Sequence, residues 1–143
     1  MDAADARLNE IQRAAQDQFA RQSHCYAAGH ILENVDDVRA AIEPLHLPPR
    51  ARVLDVATGS GDIPHAVARW ARRRGVKARI VALDHNSEIL AFARREVQGR
   101  PDIALIRGDA QALPFADRAV DIVLCGLTLH HFTEAEAARV LRE

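Results

Sequence analysis

The chain has 143 residues, 48% of them hydrophobic, with 19 basic residues against 20 acidic ones. That is material for one domain able to bury about two-thirds of its unfolded surface, which excludes a disordered chain. Seven glycines, six prolines and two cysteines exclude collagen-like and disulfide-scaffold architectures, and the charge balance gives no global field toward nucleic acid or anionic lipid.

The first residues, Met1-Asp2-Ala3-Ala4-Asp5, are acidic and lack an apolar core, so no secretory leader is expected. Residues 5–22 place Leu8, Ile11, Ala15 and Phe19 near helical spacing. A second helix is expected over residues 31–43, with Ile31, Leu32, Val35, Val38 and Ile42 on its apolar face. Pro44 and Pro48-Pro49 end it. Residues 1–49 therefore read as a helical lid or cap, and residues 50–143 as the main body.

From Arg50 the texture changes. Arg52 to Ala57 is a short apolar run followed by Gly59 and Gly61, the pattern of a buried parallel strand. A helix follows over Asp62 to Arg74, stopped by Gly75. Ala78 to Leu83 is the second strand, and Ser87 to Val97 the second helix of the body, with Ser87 as its N-cap. Ile103 to Ile106 and Val120 to Leu124 are the third and fourth strands, and Thr133 to Glu143 reads as a helix. This alternation predicts an α/β fold: a parallel sheet with right-handed crossovers and helices on both faces. The longest apolar stretch, Ile122 to Leu129, is interrupted by Gly126 and Thr128 and falls far short of the roughly 20 residues a membrane span needs. Cys25 and Cys125 lie far apart and read as buried thiols in a reducing compartment. A soluble, cytoplasmic protein is expected.

Ligands of open α/β sheets bind at the carboxyl ends of the strands. After strand 1 stand Asp55, Ala57, Thr58, Gly59 and Gly61, a glycine loop opening a helix whose N-terminus favours a carboxylate or phosphate. A plain strand-to-helix turn is the alternative. After strand 2 come Asp84 and His85. Asp84 is placed to accept from both hydroxyls of a ribose, or else to favour the start of the next helix. After strand 3, Asp109 and Ala110 follow Gly108, and a short carboxylate there can accept from an exocyclic amine such as that of adenine. After strand 4, His130 and His131 would face the reacting end of a bound ligand, or serve as packed or capping groups. A dinucleotide site would need G-x-G-x-x-G, but Pro64 stands where the third glycine belongs, and no G-K-[ST] of a P-loop is present.

These segments resemble the successive motifs of the class I S-adenosylmethionine-dependent methyltransferases: VLDVATGSGD (53–62), VALDHNSEIL (81–90), GDAQALPF (108–115) and DIVLCGLTLHHF (121–132). Each is weak alone; four in order and at family spacing are a strong signal. Within the family the chain resembles the small-molecule enzymes of ubiquinone and menaquinone biosynthesis, and QDQFARQSHCYAAGHI (16–31) looks like their N-terminal lid helix. The resemblance implies a Rossmann-like sheet of order 3-2-1-4 and S-adenosyl-L-methionine as cofactor, leaving S-adenosyl-L-homocysteine. It implies that Asp55, Gly59 and Gly61, with Ala57 and Thr58 in their loop, hold the methionine moiety. Asp84, with His85 beside it, would hold the ribose; Asp109 and Ala110 would read adenine; Leu127 would line the cavity beside the sulfonium; Tyr26 would close over the cofactor. Ala57 replaces the family's first motif glycine, a departure expected to be minor. No metal is implied.

The implied reaction is a direct displacement at the sulfonium methyl by a carbon or oxygen nucleophile of a small molecule. His130 or His131 would remove the acceptor's proton, since an unperturbed imidazole titrates near neutrality. The family sheet has seven strands in the order 3-2-1-4-5-7-6, and this chain carries motifs for the first four. Strand 4 is therefore expected to be an exposed apolar edge that a second copy or a partner chain would cover. The alternatives are a cofactor-binding module without turnover and, further off, a nicotinamide-dependent oxidoreductase. Nucleic acid is not expected as a partner: Arg69-Trp70-Ala71-Arg72-Arg73-Arg74 reads as a solvated helix end, and the amino-methylating N/D-P-P-Y/F signature is absent.

Overall fold

A computed structural model describes residues 35–126 and 128–143. In chain order the elements are α1 (Val35–Ile42), β1 (Arg52–Val56), α2 (Asp62–Arg73), β2 (Arg79–Asp84), α3 (Ser87–Glu96), β3 (Ile103–Arg107), β4 (Ile122–Leu124), a 3-10 turn (Leu129–His131) and α4 (Glu134–Val140). The strands form one parallel sheet of order β3-β2-β1-β4, as the motif order implied. The first predicted helix, the lid over residues 16–31, Tyr26 and Leu127 lie outside the described residues.

The period-two alternation of the strands sorts their side chains onto two faces. Val53, Ile80, Ala82 and Ile103 pack with Val67, Ala68, Trp70 and Ala71 of α2, Ile42 of α1 and Val97 past α3. Leu54, Val56 and Leu83 point the other way, onto Val140 of α4 and the segment from Ala110 to Phe132. Central strands buried on both faces are the reason that the β1 run reads as almost continuously apolar.

Two helix starts are fixed by local chemistry. Asn86, not Ser87, caps α3: its side-chain oxygen accepts from Glu88 N at 2.8 Å and Ile89 N at 3.3 Å. Asn is as good a cap as Ser, and the backbone leaves extended geometry one residue earlier than expected. At α4, Thr133 and Glu136 form a reciprocal capping box, and the helix ends at Val140 rather than running to residue 143.

β4 is short, and its amino end is held firmly. Arg52 N donates to Asp121 Oδ2 at 2.8 Å, Asp121 N donates to Arg52 O at 2.8 Å, and the Arg52 guanidinium grips both carboxylate oxygens. The β1–β4 register follows: Val53 lies opposite Ile122 and Asp55 opposite Leu124. Val123 is 52% exposed, as expected of the outer strand of this sheet. Among the described residues, no helix is long and apolar enough to cross a membrane.

Candidate functional site

Strand register brings the chemistry-bearing residues to one edge. Val56 pairs with Leu83, so Asp84 ends β2 just beyond it, and Asp84 pairs with Arg107, so Gly108 follows at the same level. Asp55 pairs with Leu124, which puts Cys125 one step further along that edge.

The loop after β1 is wound by left-handed residues. Gly59 and Gly61 have φ of 56° and 91°, which glycine adopts freely. Ala57 has φ of 56° as well, a conformation that costs an L-residue about 1–2 kcal/mol. The departure at Ala57 thus carries backbone strain. Thr58 N donates to Leu83 O and Gly61 N to Thr58 O, which fold the loop back onto β2. Gly61 begins α2 without any side-chain cap, and Asp62 in the first turn accepts from the Ser60 hydroxyl at 2.7 Å.

Two buried carboxyls stand side by side here in opposite circumstances. Asp84, 6% exposed, accepts from Gly59 N at Oδ2 and from Asn86 N at Oδ1, both at 2.9 Å. It therefore serves the helix start and the glycine loop together, and each oxygen keeps a further lone pair for a ligand hydroxyl. Asp55 is 0% exposed, and among the described residues neither of its oxygens has a hydrogen-bond partner. The Thr58 hydroxyl is also buried without a partner. Burial pushes the Asp55 carboxyl up to about 7. The Thr58 hydroxyl, within electrostatic reach though outside hydrogen-bonding geometry, pulls it back, and the Asp84 charge pushes it up further. A buried polar group without a partner is costly, which makes Asp55 and Thr58 candidates for contact with a ligand.

The other site residues are less enclosed. His85 is exposed, with Nδ1 3.6 Å from Asp84 Oδ1. Asp109 is exposed and spends Oδ1 on Gln111 N at 2.8 Å, while Ala110 is buried against the β-sheet face. Beyond β4, Leu129 and Phe132 of the 3-10 turn pack inward, which turns His130 and His131 outward. Their rings lie 3.9 Å apart at 42°. Desolvation and the His130 charge hold the His131 imidazole below its usual value, so it is neutral at pH 7. No group of three or more His, Cys, Asp or Glu able to hold a metal occurs among the described residues.

Two residues that the sequence reading passed over belong to this edge. A Cβ on Gly108 would stand 2.7 Å from Leu83 Cδ1 and 3.2 Å from its Cγ, so the chain turns here only because the residue has no side chain. The Gly before Asp109 was visible in the sequence; the Leu83 that it must clear was not. Cys125 is half-buried, and both burial and the Asp55 charge push its thiol up. No spacing rule links it to Asp55.

Comparison with known proteins gives the family and the fold. The profile of the methyltransferase domain family matches residues 53–143. A 2-phytyl-1,4-naphtoquinone methyltransferase of Thermosynechococcus vestitus is 36% identical over 103 residues, covering 72% of this chain and 44% of the relative. A malonyl-[acyl-carrier protein] O-methyltransferase of Xylella fastidiosa is 33% identical over 113 residues, 78% of this chain and 37% of the relative. The crystal structure of a SAM dependent methyltransferase from Aquifex aeolicus shares the fold with a TM-score of 0.67 at 22% identity, covering 87% of this chain and 64% of that one. The chain spans less than half the length of these two curated relatives.

Proposed function

The chain belongs to the class I S-adenosylmethionine-dependent methyltransferase family, and we propose that it binds S-adenosylmethionine across the ends of β1, β2 and β3. The methyl group then passes to a carbon or oxygen nucleophile of a small molecule. The observation that carries this reading is Asp55: a fully buried carboxyl with two empty oxygens, beside an empty Thr58 hydroxyl, at the mouth of a glycine loop. That set of acceptors fits a ligand ammonium, the counter-charge that a bare carboxylate in the interior would otherwise lack.

Asp84 supports the same reading, with acceptor capacity left over beside the Gly59 and Asn86 amides for two ribose hydroxyls. Asp109, Ala110 and the backbone around them would read the base, and His85 would flank the ribose. Leu127 and Tyr26 keep the roles implied by the resemblance, as proposals. When bound, S-adenosylmethionine supplies an electrophilic methyl on sulfur. The chain's own task is to hold that methyl in line with the nucleophile, an alignment worth roughly 7–11 kcal/mol of barrier. His131, neutral at pH 7, is suited to take a proton from an enol or phenol, with His130 as its neighbour. The quinone relative points to an aromatic carbon acceptor, and the malonyl relative to an oxygen acceptor. A cytoplasmic setting accords with both.

Calorimetric titration of the intact chain with S-adenosylhomocysteine and, separately, with NADH tests the reading. Binding of the first and none of the second is expected; binding of NADH alone would overturn it in favour of an oxidoreductase. Incubation with methyl-labelled cofactor and either a naphthoquinol or a malonyl thioester then sorts the acceptor. Cofactor binding with no label transferred to either, nor to a phenol, would favour the binding-module reading.

A further inference from the structure

Asp55 has no counter-ion among the groups that act on it. Asp84, at the end of β2, is a second carboxyl, and Cys125, just past β4, is a thiol that feels the Asp55 charge. The Thr58 hydroxyl, in the loop after β1, works in the opposite direction. Both carboxyl oxygens and that hydroxyl are buried and without partners among the described residues. An ionised carboxylate is costly in such a place, so below about pH 7 it takes a proton. The proposed ligand, by contrast, brings an ammonium, positively charged near neutral pH, to the same spot.

We propose that Asp55 carries a proton in the ligand-free chain and releases it to solvent when the cofactor's α-ammonium arrives, so that cofactor binding is coupled to proton release. This rests on the cofactor reading given above. The balance is simple: a neutral carboxylic acid and an ammonium become a carboxylate–ammonium pair plus one proton in the buffer. The O–H bond of Asp55 breaks and no other bond changes. Thr58 acts as a positioning residue, its hydroxyl turning to donate to the carboxylate once that is charged. Neither state then holds an unpaired buried charge, and the cofactor binds more weakly in acid.

S-adenosylhomocysteine titrated into the intact chain at pH 6, 7 and 8, each in two buffers of different ionisation enthalpy, tests this. At pH 6 the heats are expected to differ between buffers by close to one proton per site, and at pH 8 to converge. Affinity is expected to fall about tenfold from pH 8 to pH 6. Asp55→Asn removes the buffer dependence. Thr58→Val keeps it but moves its midpoint to higher pH, which a purely structural role for the hydroxyl would not do. Equal heats in both buffers at pH 6, with the ligand bound, would overturn the coupling and leave the cofactor reading standing. Absence of binding at every pH would overturn the cofactor reading and the coupling with it.

Discussion

At the ends of β1 and β2, Asp55, Thr58 and Asp84 are 0%, 6% and 6% exposed, and the loop between them is tied down by backbone amides. Past β4, on the same edge of the sheet, His130 and His131 are exposed on a turn whose Leu129 and Phe132 pack inward. The first region is made by backbone and buried polar atoms, so substitutions there change folding and binding together. The second presents side chains from a surface turn, so they can be exchanged without disturbing what holds them. Under the proposed function, the first region would take the cofactor, whose shape is fixed, and the second the acceptor.

The sharpest way to break this contrast is through pH. Asp55 ionises near its ordinary 3.8 in the unfolded chain but near 7 in the folded one. Its contribution is fully present below about pH 4 and is lost as pH rises to 7. The ligand-free chain is expected to be less stable at pH 8 than at pH 4 by up to about 4 kcal/mol from this group, at about 1.4 kcal/mol per pKa unit. Denaturation across that range should show the fall in the natural sequence and a flatter profile in Asp55→Asn. Equal slopes would mean that the carboxyl is not buried as described.

Asp84→Ala strands the amides of Gly59 and Asn86, and about 3 kcal/mol should be lost, together with binding of S-adenosylhomocysteine. Urea melts that coincide with the natural chain's would show that the glycine loop does not depend on this carboxyl. Gly108→Ala forces a methyl toward buried Leu83 and should cost about 1–3 kcal/mol, read as a lower denaturation midpoint. At the other region, replacing both His130 and His131 by Ala should move stability by less than about 0.5 kcal/mol and leave ligand affinity unchanged. The rate of transfer to a phenolic acceptor should drop about 100-fold or more. A large loss of stability in that double variant would erase the distinction between the two regions.

The strands β1 and β2 were readable because they are buried on both faces and each ends in turn chemistry that glycine and aspartate announce, whereas their order in the sheet came from the family resemblance. Boundaries shifted where two neighbouring residues could do the same job: Asn86 and Ser87 are both good caps, and only the backbone decides between them. The fourth strand was expected from Val120, but its register with β1 starts at Ile122, one residue past the backbone bond from Asp121 N to Arg52 O. Within the site, Asp55 and Asp84 were both legible as acids at strand ends. That one accepts from two amides and the other is bare was not, because the Gly59 amide reaches Asp84 from a loop 25 residues away and the enclosure of Asp55 is made by the fold. The strain at Ala57 was equally hidden: alanine carries no mark of the φ that its neighbours impose.

The Arg52–Asp121 clamp sits at the end of β4 away from the site. A strand pinned at one end opens from the other, like a zipper with its stop at the base. Amide exchange along residues 121–126 should therefore run as a gradient, slowest at Asp121 and fastest toward Gly126. The looseness would accumulate at the carboxyl end of β4, where Leu124 lies opposite Asp55, rather than at the clamp.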